Sequence, residues 1–280
     1  MATVRRIETV LESRYTMEGA GVRLRRVFAN REARLMDPFL LLDHFGSANP
    51  DDYLAGFPWH PHRGIETITY MLEGEVEHGD SLGNRGTIGS GDIQWMTAGS
   101  GIIHQEMPQR YEGTLRGLQL WANLPAAQKM MSPRYRDISA AQVPEVDLGG
   151  ARIKVIAGEI QGTRGAVGDI VIDPTYLDVD MPPDTSLDLP VKEDHNAFAF
   201  VLEGEGFFGG AQPVSANHLA LFVDGDTVSV STRSNPVRLI FVSGKPLREP
   251  IAWGGPIVMN TEEELEQAFR EYREGTFIKS

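Results

Sequence analysis

Two short histidine motifs contain the residues of this sequence best suited to bind a metal ion. His60 and His62 form an H-x-H pair, and residues two apart on an extended strand project from the same face. Pro61 between them cannot donate to a β-ladder, which predicts a position at the start or the edge of a sheet. Later in the chain, His104 and Glu106 form an H-x-E pair to which the same alternation applies. Two such strands that meet inside a barrel would bring three imidazoles and one carboxylate together.

A site of this composition accepts several divalent ions, namely Fe(II), Mn(II), Ni(II), Cu(II) and Zn(II), and an open octahedral site that handles oxygen most often contains Fe(II). The sequence has no cysteine, which excludes disulfides, thiolate metal sites, iron–sulfur clusters and a cysteine nucleophile. Histidine, aspartate and glutamate are therefore the side chains left to bind a metal. No Walker lysine, dinucleotide-binding glycine motif or nucleophile elbow competes with this assignment.

The charge of the chain argues against nucleic-acid and membrane partners. Lys and Arg number 26 against 39 Asp and Glu, so the formal net charge is 26 − 39 = −13. Such a chain is repelled by phosphate backbones and by anionic lipid. No stretch approaches the ~18 apolar residues of a membrane span, and no signal peptide is recognisable at the N-terminus. We expect a soluble, cytoplasmic protein that contacts neither nucleic acid nor membrane directly.

Strand patterns dominate the elements that must position these side chains. Short β-branched or aromatic runs between turn residues predict strands at Val22–Phe28, Ile65–Leu72, Ile93–Met96, Leu115–Leu120, Arg152–Ile156, Ile170–Ile172, Ala197–Leu202, Leu219–Val223, Val228–Val230 and Val237–Val242. The frequent glycines between them indicate an all-β sandwich or barrel. A short helix is predicted at Ala126–Met131. The capping box Thr261–Glu264 and the apolar period after it predict a C-terminal helix that covers an apolar sheet.

An internal repeat predicts two copies of one fold. The run Thr67–Glu75 recurs as Ala197–Glu205, and both runs end in Leu-Glu-Gly-Glu. A Gly-Asp pair follows each run, at Gly91-Asp92 and at Gly225-Asp226. The offset of 130 residues is about the length of one domain, so we interpret the chain as two homologous β-barrels in tandem.

The expected join between the barrels is the weakly patterned, proline-bearing stretch around residues 132–148. This gives an N-terminal metal-binding barrel at residues 1–135, and a C-terminal barrel with the final helix at residues 136–280. The offset of the repeat carries the H-x-H pair onto Pro190 and Lys192, which are not a ligand pair. The second barrel is therefore expected to have no metal site.

Several longer motifs cover nearly the whole chain. They are Asp37–Asp43, Trp59–Thr67, Gly91–Gly99, Gly101–Pro108, Gly117–Leu124, Gly244–Pro250 and Gly255–Thr261. These motifs resemble those of the pirin family, which belongs to the cupin superfamily. The resemblance implies a bicupin: two tandem cupin (jelly-roll-type) β-barrels with a few short helices and a C-terminal α-helix.

The resemblance also implies a metal and a reaction. Pirins hold iron in the N-terminal barrel through the two histidines of the first motif and the histidine and glutamate of the second. In this sequence those ligands are His60, His62, His104 and Glu106. The family's quercetin 2,3-dioxygenase activity implies a flavonol-like substrate and O2, with the central ring opened and carbon monoxide lost. Glu106 would then serve both as a ligand and as the catalytic general base for the flavonol 3-hydroxyl.

The same resemblance implies an alternative that is not an enzyme. Pirins also act as redox-responsive, metal-dependent regulators through protein–protein interaction, and the acidic chain suits a regulatory protein partner better than DNA. A third interpretation, a sugar-isomerase-type cupin with Zn or Mn, has no supporting residue beyond the shared site.

Other residues near the motifs are given supporting roles. In the general cupin pattern Glu66 is a ligand, but in pirins the carboxylate comes from the H-x-E motif. We favour Glu66 as a group that orients a ligand histidine or pairs with Arg63. His44 is expected to have a structural hydrogen bond, and His78 to be solvated in a Glu-rich turn. Gly117, like Gly99 and Gly101, either gives backbone room near the metal or forms an ordinary tight turn.

Overall fold

The computed structural model describes residues 2–210 and 212–279. The strands of its first half are β1 (Arg6–Glu12), β2 (Arg14–Glu18), β3 (Val22–Phe28), β4 (Phe39–Ser47), β5 (Phe57–His62), β6 (Ile65–Glu73), β7 (Val76–Asp80), β8 (Arg85–Ile88), β9 (Ile93–Thr97), β10 (Ile102–Pro108), β11 (Leu115–Asn123) and β12 (Arg134–Ile138). The strands of its second half are β13 (Glu145–Leu148), β14 (Ala151–Ala157), β15 (Glu159–Ile160), β16 (Thr163–Arg164), β17 (Thr175–Met181), β18 (Ser186–Pro190), β19 (Asn196–Phe208), β20 (Gln212–Ser215), β21 (His218–Val223), β22 (Thr227–Ser231), β23 (Val237–Gly244), β24 (Ala252–Gly254) and β25 (Ile257–Met259). Within the described residues, helical structure is limited to the α-helix α1 (Glu262–Glu274) and to short 3₁₀ turns at Pro50–Asp52, Ala126–Gln128 and Ala140–Gln142. No helix in these described ranges is long and apolar enough to cross a membrane.

The chain forms two compact units, and each unit includes a segment from the opposite end of the sequence. The histidine barrel comprises residues 14–34, 39–140 and the chain from Leu247 onward. The second barrel comprises the chain up to Ser13, residues 35–38 and residues 141–246. The expected division at residue 135 placed the chain up to Ser13 in the histidine barrel and the chain from Leu247 onward in the second barrel, which is the reverse of their places in the structure. The difference arises because a strand can pair with a free sheet edge at any sequence distance, as β1 does with β21.

Two antiparallel sheets form the main body of the histidine barrel, and the short pair β24-β25 forms a third. The larger has the strand order β12-β9-β6-β11-β4-β3-β2, and the smaller has the order β5-β10-β7-β8. The strand β5, which contains Pro61, lies at the edge of the smaller sheet, so the prediction from proline is confirmed. The two sheets are the layers of a jelly-roll-type barrel, and the all-β fold class is confirmed.

The second barrel has an apolar interior where the first has histidines. Its strands β18 and β22 pair with each other as β5 and β10 do in the histidine barrel. In this pair Leu187 lies opposite Val230 and Leu189 lies opposite Val228. All four side chains are buried in the apolar core, so no ligand-bearing residue occupies these positions.

The sequence repeat lies on equivalent central strands, β6 and β19. Each repeat reaches a glycine in the left-handed region, Gly74 at φ 95° and Gly204 at φ 76°. A Cβ at Gly204 would stand 2.1 Å from the carbonyl oxygen of Pro236, so a side chain is excluded there. The two Gly-Asp pairs are not equivalent, because Gly91-Asp92 precedes β9, which pairs with β6, whereas Gly225-Asp226 precedes β22, which pairs mainly with β18.

Two local predictions were wrong. Residues 170–172 form no strand, because Asp169 (φ 56°) and Asp173 (φ 48°) take left-handed conformations that interrupt an extended backbone. The segment from Ala126 forms one 3₁₀ turn instead of a longer helix. By contrast, α1 has the predicted capping box and buries Leu265 and Ala268 in a cluster with β24 and β25 residues.

Candidate metal centre

Three histidine rings meet between two neighbouring strands of the smaller sheet. His104 on β10 lies directly opposite His60 on β5. His62 lies two residues beyond His60 on the same strand, so its side chain projects from the same face. The ring centroids are 4.4 Å apart for His60 and His104, 4.8 Å for His60 and His62, and 5.0 Å for His62 and His104. One ring nitrogen from each residue lies within 4.8 Å of the others. Among the described residues, this is the group of three whose spacing suits a metal ion.

Hydrogen bonds fix which ring nitrogen faces the centre. Nδ1 of His60 lies 2.9 Å from the carbonyl oxygen of Pro58, and Nδ1 of His62 lies 2.9 Å from that of Pro256. Because a carbonyl can only accept, each Nδ1 must carry the hydrogen, and a neutral ring then has its lone pair on Nε2. Such backbone bonds are the usual way in which a metal-binding histidine is oriented.

The inward nitrogens have no partner that satisfies them without a cation. Nε2 of His60 and Nε2 of His62 are 3.1 Å apart, so two lone pairs repel unless a cation or a shared proton lies between them. Nε2 of His104 is buried and has no hydrogen-bond partner among the described residues. An unpaired buried nitrogen is costly. The three residues therefore fit a bound divalent ion.

Burial keeps the deeper rings available as ligands. Loss of solvent, together with the neighbouring His60, holds the pKa of His62 well below its ordinary value. Loss of solvent and the other histidines lower the pKa of His104 in the same way. Both rings are thus neutral at pH 7, which is the form that binds metals.

Glu106, the predicted fourth ligand, lines the same cavity as His60 and His62 but is not part of the cluster of three imidazoles, and it belongs to a second polar network. Burial raises its pKa, against the opposing effect of His60 and of a hydrogen bond from Thr69. Thr69 Oγ1 lies 2.8 Å from Glu106 Oε1 and 2.6 Å from the side-chain Oε1 of Gln119. A hydroxyl has one hydrogen, so if Thr69 donates to Glu106, Gln119 must turn its NH₂ group towards Thr69. Thr69 then holds the carboxylate in place.

A cavity of about 560 Å³ opens onto this centre. His60, His62 and Glu106 line it together. Its remaining walls are largely apolar or aromatic and include Leu24, Leu41, Phe45, Phe57, Val76, Trp121 and Trp253. A cavity of this size with a few polar groups is typical of a site for a small organic molecule.

Comparison with known proteins identifies the family. A family model named Pirin matches residues 21–122, and one described as the Pirin C-terminal cupin domain matches residues 176–278. A pirin-like protein of Caulobacter vibrioides is 44% identical over 276 residues, which are 98% of this chain and 99% of that protein. The chain belongs to the pirin family.

Solved structures match the chain over most of its length. Quercetin 2,3-dioxygenase from Acinetobacter baumannii matches with a TM-score of 0.92 and 32% identity, over 98% of this chain and 99% of that one. A bacterial pirin from Escherichia coli in complex with nickel(II) matches with a TM-score of 0.67 and 20% identity, over 85% of this chain and 98% of that one. The second likeness shows the shared fold only.

Arg63 and Glu66, which follow the pirin histidine motif, are not partners of each other. Arg63 is 2% exposed and pairs with Glu271 of α1 at 2.8 Å, so it does not serve as the partner of Glu66. Glu66 instead accepts a hydrogen bond of 2.6 Å from Thr97. Burial raises the pKa of Glu66, and the bond from Thr97 opposes this rise. Glu66 is not part of the cluster of three imidazoles.

The expectation that His78 is solvated was wrong. His78 is 5% exposed on β7 and lies directly opposite Glu106. Its ring nitrogens lie 2.9 and 2.6 Å from the hydroxyl of Tyr135. The alternation of Val76, His78 and Asp80 along one strand was the signal that could have revealed this, because these three side chains share the buried face.

Gly117 contributes to the pirin cavity indirectly. It lies within β11, opposite Phe45, and a Cβ there would stand 2.2 Å from the Phe45 ring. The absence of a side chain at Gly117 thus leaves space for the Phe45 ring, which forms part of the cavity wall. Trp253 and Pro256, near the end of the chain, also line the cavity, and no sequence pattern predicts this because the return of this segment to the histidine barrel is a tertiary feature.

Proposed function

We propose that the protein is an iron-dependent quercetin 2,3-dioxygenase-like enzyme, which opens the central ring of a flavonol with O2. The main observation in favour of this function is that three histidine ring nitrogens converge beside Glu106, at one end of a cavity with aromatic walls. Membership of the pirin family and the likeness to the Acinetobacter enzyme support this reaction. The ligand set that we propose is His60, His62, His104 and Glu106.

Fe(II) is the proposed ion, although Mn, Ni, Cu and Zn accept the same ligands, and the related Escherichia coli protein was solved with nickel(II). When bound, the ion would supply a Lewis acid and a redox centre for the reaction with O2. The cytoplasmic location expected from the sequence stays a prediction.

The residues of the chain would prepare the substrate in three ways. Glu106 would remove the proton of the flavonol 3-hydroxyl, because its carboxylate lines the cavity beside the histidines and a carboxylate so placed can act as a general base. Thr69 would hold Glu106 in the position needed for this transfer through the 2.8 Å hydrogen bond. The apolar walls, including Trp121 and Trp253, would pack against the flat rings and exclude water.

Metal analysis of two histidine variants tests the site. His104→Ala should lose most of the bound metal, because it removes one of the three converging nitrogens. His218→Ala is the matched control: its Nδ1 also lies close to the carbonyl two residues before it, as in His60, but it belongs to the second barrel. The control should keep its metal. Unchanged metal content in His104→Ala would overturn the proposed site.

Turnover of quercetin, followed by O2 consumption and by loss of flavonol absorbance, tests the reaction. Glu106→Gln should keep part of the metal but lose turnover, and full activity of this variant would refute the role of Glu106 as base. Near-zero turnover by the metal-loaded wild type would reject the enzyme. A protein partner whose binding changes with the oxidation state of the metal would then favour the regulatory alternative.

A further inference from the structure

A row of polar residues crosses the wall of the cavity and ends at Glu106. Arg26 on β3 lies opposite Asp43 on β4, Asp43 lies opposite Gln119 on β11, and Gln119 lies opposite Thr69 on β6. Directly opposed residues project from the same face of a sheet, and all four line the cavity. Thr69 joins the row to the metal centre through its hydrogen bond with Glu106.

Apolar residues border this row on both sides. Leu24 and Phe45 are opposed on β3 and β4, two residues from Arg26 and Asp43 along their strands. Leu41 and Trp121 are opposed on the other side, on β4 and β11. All four of these apolar residues also line the cavity. The wall is therefore a narrow polar stripe between two apolar rows, which suits a flat aromatic molecule with polar groups at its ends.

The length of the stripe follows from the spacing of the strands. Three steps of about 4.8 Å separate β3 from β6, so Arg26 lies roughly 14 Å from Thr69 along the sheet. This span is comparable with the length of a three-ring molecule. A ligand held at Glu106 by one end would therefore reach Asp43 and Arg26 with the other.

The Arg26–Asp43 pair keeps hydrogen-bonding capacity for such a ligand. Arg26 donates from Nε and Nη2 to the two oxygens of Asp43, at 2.9 and 2.8 Å, and from Nη1 to Glu18 at 2.7 Å. A guanidinium has five N–H groups and a carboxylate about four acceptor positions, so these three bonds leave donors and acceptors unused. Asp43 is 5% exposed and the Arg26 side chain is 29% exposed, and an ion pair that includes a buried carboxylate gives little net stability because of its desolvation cost. Its position in the cavity wall points to a role in recognition.

We propose that Arg26 and Asp43 bind the phenolic hydroxyls on the pendant ring of a flavonol whose hydroxy-ketone end lies at the histidines and Glu106. The inference rests on the proposed function. It adds the orientation of the substrate in the cavity and names the pendant ring as the part of the substrate that the protein recognises. The pair is assigned to specificity, since it lies at the opposite end of the stripe from the reacting ring.

Two flavonols test this without any change to the protein. Quercetin has two hydroxyls on the pendant ring and galangin has none, while both have the same hydroxy-ketone. Dissociation constants are measured by quenching of tryptophan fluorescence, on metal-loaded protein without O2. Quercetin should bind about tenfold more tightly, because a hydrogen bond to a charged group contributes ~1.5 kcal/mol or more and each ~1.4 kcal/mol is tenfold. Equal binding of the two, or binding of neither, would overturn the proposal.

Variants locate the source of the preference. Asp43→Asn and Arg26→Gln should each lower the quercetin-to-galangin preference to about threefold or less, because each removes one of the two charged groups to which the phenolic hydroxyls would hydrogen-bond. Asp178→Asn is the control, since Asp178 is 4% exposed and accepts two bonds from Arg238 in the same bidentate way, but in the second barrel. Thermal melting confirms that each variant is folded. A full preference in folded Asp43→Asn and Arg26→Gln would refute the assignment.

Turnover measured separately in air distinguishes this inference from the proposed function. If the preference is present but neither flavonol is consumed, the dioxygenase proposal fails and the binding site stands. If both flavonols are consumed but bind equally, the reaction stands and the role of Arg26 and Asp43 is refuted.

Discussion

Replacement of Glu271 by glutamine should destabilise the histidine barrel, because it removes the negative charge that pairs with a buried arginine. Arg63 directly follows the H-x-H motif and is 2% exposed. Its guanidinium donates to the carbonyl oxygens of Ser100 at 2.7 Å and Phe277 at 2.8 Å, and it lies 4.2 Å from the centroid of the Phe277 ring. Its partner with a negative charge is Glu271, at 2.8 Å.

The expected loss follows from the burial of this pair. Removing one partner of a buried ion pair costs ~3–5 kcal/mol. Glutamine keeps one acceptor for Arg63, and the Glu271 side chain is 15% exposed, so we expect the lower end, about 3 kcal/mol in the free energy of unfolding. At ~2–4 °C for each kcal/mol, the melting temperature should fall by roughly 6–12 °C.

Glu271→Gln should also change the pH dependence of stability. Burial raises the pKa of Glu271, but hydrogen bonds from Lys279, Gln267 and Arg63 outweigh this effect and bring it to about 2 from the ordinary 4.5. A carboxylate with a lowered pKa stabilises the fold above its unfolded pKa, and this contribution disappears as the pH falls through the folded pKa. The difference between wild type and variant should therefore be complete above about pH 5 and shrink towards pH 2.

Urea unfolding and thermal melting measure the effect, with Glu274→Gln as the control. Glu274 is exposed at the last position of the same helix, so its replacement should change stability by no more than about 0.5 kcal/mol. A loss below about 1 kcal/mol for Glu271→Gln would refute the view that this pair fixes the segment after the histidine motif.

Two further predictions concern the cavity wall. Gly117→Ala should lower the free energy of unfolding by ~1–3 kcal/mol and weaken quercetin binding, because the new methyl group displaces the Phe45 ring. Gly168→Ala, which has open space around the added Cβ, is the control. Equal melting temperatures and equal dissociation constants for the two variants would contradict this prediction. Burial raises the pKa of Asp43 to about 6 from 3.8, although Arg26 lowers it. The fold thus binds this proton more tightly than the unfolded chain does, and the stability of wild type relative to Asp43→Asn should fall by about 2.5 kcal/mol between pH 4 and pH 7. A pH-independent difference in urea unfolding would contradict the shift.

Much of the fold was predictable because it depends on local patterns. The strands around the histidine motifs begin and end close to the predicted residues, since alternating apolar side chains and glycine turns act over a few positions. The capping box at Thr261 is complete within four residues and formed as predicted. By contrast, the strand predicted at residues 170–172 failed because two neighbouring aspartates adopt left-handed backbone conformations.

The candidate site was predictable in part for the same reason. The spacing of His60 and His62 places both on one face of a strand, whatever the rest of the fold does. The row from Arg26 to Thr69 was not predictable, because its members come from four strands whose register is set by pairing between distant segments. The burial of His78 depends in the same way on its pairing with β10.

The sequence by itself determined the candidate ligand types, the two-barrel architecture and the family, because these depend on side-chain chemistry, short periods and long motifs. Tertiary structure alone decided which terminal segment completes each barrel, which partner neutralises Arg63 and which polar residues face the cavity. These depend on contacts between residues far apart in the chain. Such contacts form only when burial of apolar surface outweighs the entropy lost in closing long loops. A local sequence pattern does not show which distant contacts meet this condition.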